Sequence, residues 1–294
     1  MSAKHRPGRS GSEGERLPAA ALELRHHDHD RYLLSLFAAP GLRDQLQGLF
    51  AFNHEIAKTS EVVSEAIIGQ IRLQWWRESV EGLFEGTPRE HYVIQVLHPA
   101  AQQGRLNRAR LERLIDAREA DLSGEAPADL TAFERYAEAT GADLLRAALE
   151  LMGLPADSHE ALHRAARHIG IAYSSVGLLR AVPFHAAQKR IHLPEDHLAV
   201  AGVNRQDLFE LRPQEALSGV AMRLAQRAEE HLSEAAKLVP DARMAKPVLL
   251  HGSLARLYLK RLAAADYNPF DPRAGLAPPS RMPRLAWLSW RGRW

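Results

Sequence analysis

Apolar residues recur at three- and four-residue spacing along nearly the whole of this chain, and no stretch alternates apolar and polar with the period of a strand. That regularity restricts the chain to helix-on-helix packing, because an amphipathic helix has to bury its apolar stripe against another element. The spacing predicts helices over 21–36, 41–60, 64–84, 91–103, 107–122, 131–152, 158–179, 213–239 and 242–266. Leu42, Leu46, Phe50 and Phe52 are the apolar set of the second, and Ile67, Ile71, Trp75 and Val80 that of the third. Thr131 and Glu134 have the form of a capping box, and Gly153 with Pro155 stops the helix they open. Pro183 is placed to end or kink the helix reaching Leu179, and Pro247 suits a first turn. Short connections and the lack of internal repeats favour one helical domain over two.

Composition narrows the function classes. With 46% hydrophobic and 25% charged residues the chain is of the globular kind. A formal charge of +2 gives no case for nucleic acid as a partner. The absence of cysteine excludes disulfides, thiolate nucleophiles and Cys-ligated metals. No apolar run approaches the roughly 20 residues that cross a bilayer. Residues 1–20 read as a disordered lead-in, with neither a secretory signal nor a span in 1–16, so a cytoplasmic location is expected. Residues 21–266 form the helical domain, and 267–294 a proline-rich, then Trp/Arg-rich tail. Trp287, Trp290 and Trp294 share one helical face; docking on the body of the chain is favoured over a membrane or partner contact, with Arg281, Arg284, Arg291 and Arg293 left outside.

Two histidine groups invite a metal reading. Adjacent residues on a helix point different ways, so His26, His27, Asp28, His29 and Asp30 read instead as a solvated face. His159 and His163 at i, i+4 have no carboxylate in a recognised motif beside them and receive the same reading. No nucleotide-binding glycine motif and no nucleophile elbow occurs.

The most informative stretch is Leu179-Arg180-Ala181-Val182-Pro183-Phe184-His185, followed by Lys189-Arg190 and Leu193-Pro194. It resembles the second signature of squalene and phytoene synthases, in which Arg-Asp-Val precedes a further Asp, Gly-Arg and Tyr-Leu-Pro. Arg180, Val182, Arg190, Leu193 and Pro194 keep the register, while Ala181 and His185 stand where the family has aspartates. Leu49-Phe50-Ala51-Phe52, then Asn53-His54-Glu55-Ile56, resembles the first signature. Ala57-Lys58-Thr59-Ser60-Glu61 occupies its Asp-rich block, with only Glu61 keeping a carboxylate. Trp76-Arg77, Leu114-Ile115-Asp116, Asp121-Leu122 and Tyr136 follow in family order. The resemblance implies an all-α, isoprenoid (terpenoid) synthase-type helical bundle with a central cavity.

In the family, opposed aspartate faces hold Mg²⁺ ions that bind and neutralise a departing diphosphate. Ala57, Lys58, Glu61, Ala181 and His185 are the degenerate metal positions here, and one glutamate does not build a multi-metal site. No catalytic residue and no metal or other cofactor is therefore expected. The replacements resemble a subgroup, the phytoene-synthase-like assembly factors of respiratory complex I, as do Ala51-Phe52-Asn53, Val63-Ser64-Glu65, Ile68-Gly69 and Ser289-Trp290-Arg291. This implies a catalytically degenerate protein acting on complex I subunits or assembly intermediates at the inner membrane surface. The alternative is a head-to-head prenyl diphosphate transferase using Mg²⁺; a third reading is a lipid carrier with no role in complex I. His54, Lys58, Glu61, Arg77, Arg180, His185 and Arg190 are the candidate pocket residues. The exchange of carboxylates for bases there turns a cation site into an anion site for an isoprenoid or acyl lipid head group, with a filled remnant of the cavity as the competing outcome.

Overall fold

A computed structural model describes residues 17–63 and 65–294 of the chain, so the lead-in over 1–16 lies outside the described residues. The helices in order are α1 (Ala19–His27), α2 (His29–Ser35), α3 (Pro40–Ala57), α4 (Thr59–Val62), α5 (Ala66–Glu85), α6 (Tyr92–Gln102), α7 (Arg108–Asp116), α8 (Ala120–Ser123) and α9 (Leu130–Ala137). A π turn over Glu138–Ala142 leads into α10 (Asp143–Leu151). Then come α11 (Glu160–Arg180), α12 (Val182–Ala187), α13 (Glu195–Ala201), α14 (Arg205–Phe209), α15 (Glu215–Leu238), α16 (Lys246–Ala264), α17 (Pro272–Gly275) and α18 (Arg281–Trp290). Among the described residues there is no strand.

α11 is the axis. It packs against α15, α16, α10 and the π turn, while α3 packs against α1, α6 and α10. The stripe Leu162, Ala165, Ala166, Ile169, Ala172, Val176 and Leu179 of α11 is fully or almost fully buried. Small residues set the depth of its contacts. A Cβ on Gly170 would lie 2.3 Å from Cα of Ala142, and one on Gly141 2.5 Å from the carbonyl of Gly170. The close crossing falls at the π turn, where the extra residue in the helical ladder redirects the chain.

Several local expectations are corrected by tertiary contacts. The first helix is two, because Asp28 leaves the helical conformation and caps α2 by accepting from the Arg31 amide at 3.1 Å. The Asp30 carboxylate is buried rather than solvated, accepting from the Tyr258 hydroxyl at 2.5 Å and from Arg281 at 2.7 Å. The second helix stops at Ala57, and 58–62 turns into α4. The 107–122 segment is α7 and α8 with a break between them. Asp129, not Thr131, caps α9, and Glu134 is instead paired with Arg227 and His231. His163 is buried and bonded to the Leu154 carbonyl at 2.8 Å, which removes it from any solvated face.

The largest reversal is on α5. Gly69, Leu73, Trp76, Val80 and Leu83 face the core, while Ile67, Ile71 and Trp75 of the expected core set are exposed. On α18 the docked side is Leu285 and Ser289, with Trp287 and Trp290 outward. Of the three tail tryptophans only Trp294 docks, donating to the Val239 carbonyl at 2.8 Å with its ring over Gly252.

Candidate functional site

The ends of α3, α4, α8, α9 and α11, with the loop after α12, enclose a cavity of about 440 Å³. This lies within the size range of small-molecule pockets. Ala57, Ser60 and Glu61 come from the α3–α4 side, and Gly177, Arg180, Ala181 and His185 from the end of α11 and from α12. The two former carboxylate faces therefore do oppose each other across one space. Of the sequence-derived candidates, Glu61, Arg180, His185 and Arg190 line it. His54, Lys58 and Arg77 do not. The Lys58 ammonium is paired with Glu55 at 2.6 Å. Arg77 reaches away to Asp116 at 2.7 Å and to Glu119. His54 stacks on His27 at the cavity's edge.

Each arginine in the wall is held differently. Arg190 donates to the Ser60 carbonyl at 2.6 Å and to its hydroxyl at 3.0 Å, tying the loop after α12 to α4. The backbone of the preceding Lys189 is left-handed, with φ 57°, and this bend carries Arg190 inward. Arg180 lies over the Tyr258 ring at 3.6 Å and donates to the Gly275 carbonyl at 2.9 Å. Arg118 donates to Tyr136 at 3.1 Å and Asn53 at 3.2 Å, and Arg31 pairs with Asp28 at 2.5 Å.

Among the described residues the only carboxylates in the lining are Glu61 and Asp121. Asp121 accepts from the Tyr136 hydroxyl at 2.7 Å and sits 3.5 Å from Arg118, so its charge is already matched. His185 does not add positive charge. Burial, then His192 and Arg190, push its pKa down to about 3, leaving a neutral ring at ordinary pH. Burial likewise lowers His192. The tyrosines Tyr136, Tyr173 and Tyr258 are raised by burial and remain hydroxyl donors. Among the described residues the lining thus carries four arginines against two carboxylates; Arg180 and Arg190 of the expected cations are in it, and Lys58, His54 and Arg77 are not.

Mg²⁺ requires near-octahedral oxygen ligation and is bound through carboxylates. Ala57, Ala181 and neutral His185 at the former ligand positions, with Arg180 and Arg190 beside them, do not fit a Mg²⁺ cluster. Sequence reasoning missed Arg31, Arg118, Tyr173, His192 and Tyr258. Arg31, Tyr173 and Tyr258 come from segments with no family signature beside them, Arg118 and His192 sit within signature stretches at positions that carry no landmark, and only the folded chain brings the five to one wall.

The family model for squalene/phytoene synthase matches residues 24–291. The chain belongs to that family. It is 32% identical over 272 residues to the Bos taurus NADH dehydrogenase (ubiquinone) complex I, assembly factor 6, covering 90% of this chain and 81% of that one. The Rattus norvegicus protein of the same name is 34% identical over 252 residues, covering 85% of this chain and 74% of that one. A ligand-bound dehydrosqualene synthase superposes with a TM-score of 0.78 at 17% identity, covering 92% of this chain and 94% of that one. The fold is therefore that of the isoprenoid synthases, in a chain that keeps one carboxylate, Glu61, at the positions where the family has its aspartates.

Proposed function

We propose that this protein is an assembly factor for respiratory complex I that keeps the prenyl-synthase body without its metal-dependent condensation. The assembly role is supported by the relatives of that name, matched along most of both chains. The loss of chemistry is carried by one observation: across the cavity, Ala57 and a lone Glu61 face Ala181 and an uncharged His185, with arginines between. Without an electrophilic metal cluster a diphosphate leaving group loses several kcal/mol of transition-state stabilisation. Deletion in a host that carries the gene is expected to reduce assembled complex I on native gels, with Glu61→Gln restoring it as well as the wild type does. Formation of a condensed prenyl product from farnesyl or geranylgeranyl diphosphate with Mg²⁺, dependent on Glu61, would return the protein to the enzymes.

The cavity binds the anionic head group of an isoprenoid or acyl lipid, with Arg180 as its main contact because its guanidinium lies over an aromatic ring in the wall and is held by a backbone carbonyl rather than by a carboxylate. Among the described residues no helix is long and apolar enough to cross a membrane. The protein works at the membrane surface, and exposed Val62, Ile67, Ile68, Ile71 and Trp75, in sequence just after the cavity residue Glu61, support that placement. Native mass spectrometry of the purified chain is expected to show a retained lipid. Arg180→Glu should lower its occupancy at least tenfold and Lys58→Glu, outside the wall, should leave it unchanged. Equal occupancy in the Arg180 variant rules the head-group site out.

A further inference from the structure

At the rim of the cavity, two helices bring together three side chains that neither the fold nor the proposed function uses. Glu23 and His27 are four residues apart on α1 and share a face. His54 projects from α3, against which α1 packs. The His27 and His54 rings lie nearly parallel, 13° apart in plane with centroids separated by 5.0 Å. Nε2 of His27 is 3.6 Å from the Glu23 carboxylate. One ligand atom from each of the three residues lies within 4.8 Å of the other two. Among the described residues this is the only group of three potential ligands so disposed.

We propose that Glu23, His27 and His54 form a binding site for a divalent ion of the zinc class. Two imidazoles and one carboxylate are a ligand set that zinc accepts, leaving a fourth position open. In tetrahedral zinc the ligand atoms lie about 3.3 Å apart, so each atom here needs to move by only about 1 Å. The side chains are free to make that movement: His27 is 55% and Glu23 39% exposed. Neither imidazole makes a hydrogen bond to a described residue. The nearby charge of Lys58 opposes a cation but is taken up by Glu55 at 2.6 Å, while Asp28 adds a negative charge on the same side.

Position gives the site its consequence. His27 also lines the arginine-rich cavity, so the open coordination position lies at the mouth of the anion chamber. The site is distinct from the former magnesium faces, whose positions are Ala57, Glu61, Ala181 and His185. The other histidine pair, His168 and His231, has its Nδ1 atoms 2.9 Å apart. Glu134 lies on the opposite nitrogen of His231 and supplies no third ligand between the rings.

The test is titration of the metal-stripped full-length protein with ZnCl₂ against a chromogenic chelator, repeated with CoCl₂ for the intense visible absorption of four-coordinate cobalt. One equivalent is expected, with binding weakening as pH falls through the histidine range. Glu23→Gln and His54→Gln should each weaken binding at least tenfold, and His27→Ala with His54→Ala should abolish the cobalt spectrum. His168→Ala should change neither. Each variant is checked by its thermal midpoint, and exposed Glu23 and His27 are expected to leave that midpoint in place. No stoichiometric binding by the wild type, or the same affinity in the double variant, overturns the site. Both readouts are independent of complex I assembly and of lipid retention.

Discussion

α11 and α5 are helices of nearly equal length, 21 and 20 residues, and both are rich in apolar side chains, yet they are used in opposite ways. α11 turns small residues toward its neighbours, so that Gly170 meets Ala142 at backbone contact and the cavity wall is set by the same crossing. α5 is apolar on two sides. One side, with Leu73, Trp76 and Val80, fills the core; the other, with Ile67 at 56%, Ile71 at 63% and Trp75 at 36% exposure, is left uncovered. The difference teaches that apolar periodicity marks a face available for burial, and that close approach of backbones, not apolarity alone, marks the face that a single chain buries.

The comparison breaks most easily at the crossing. Gly170→Val places side-chain atoms where Ala142 backbone already lies, and should destabilise the protein by about 3 kcal/mol or more in denaturant unfolding. A stability within 1 kcal/mol of wild type, on the order of a surface change, would show that the crossing has slack.

A middle-sized effect comes from protons. His251, fully buried beside Phe50 and Tyr173, and His185 in the cavity are both held down to about 3, chiefly by burial. The unfolded chain takes up protons near pH 6.5 that the folded chain refuses until about pH 3. Stability should therefore be complete above that range and fall as pH drops through it, by up to about 1.4 kcal/mol per pH unit for each histidine. His185→Gln should remove about one proton from this slope, as measured by unfolding at a series of pH values. An unchanged slope would mean that His185 titrates normally.

The smallest effect on folding is expected on α5. Ile71→Ser should alter stability by no more than about 0.5 kcal/mol, because the side chain is outside the core. The same change, combined with Trp75→Ser, should nonetheless lower cosedimentation with vesicles of inner-membrane lipid composition. Loss of several kcal/mol of stability instead would place the stripe inside a packed interface.

Much of the site was legible before folding was considered. The substitutions at Ala57, Ala181 and His185, in register with Arg180, Arg190 and Pro194, are already visible there as missing carboxylates, because i, i+4 spacing on a helix is a local matter. Arg180 and Arg190 do line the cavity, but Lys58 and Arg77 do not, since each found a carboxylate partner nearer to hand. A side chain's choice between a cavity and a neighbouring ion pair is made by residues such as Asp116, far away along the chain. The charge state of His185 was equally out of reach, because it depends on burial and on His192 and Arg190 being folded against it.

By itself the sequence determined an all-helical body, the breaks near Pro40, Pro155 and Pro183, and the absence of opposed carboxylate pairs, all of which follow from nearest-neighbour chemistry and helical spacing. Tertiary structure alone decided which side of α5 is buried, which of the tail tryptophans docks, and that Arg31 and Arg118 join Arg180 and Arg190 in one wall. The physical reason is that burial and desolvation belong to contacts between distant segments, and no window of the chain contains both partners.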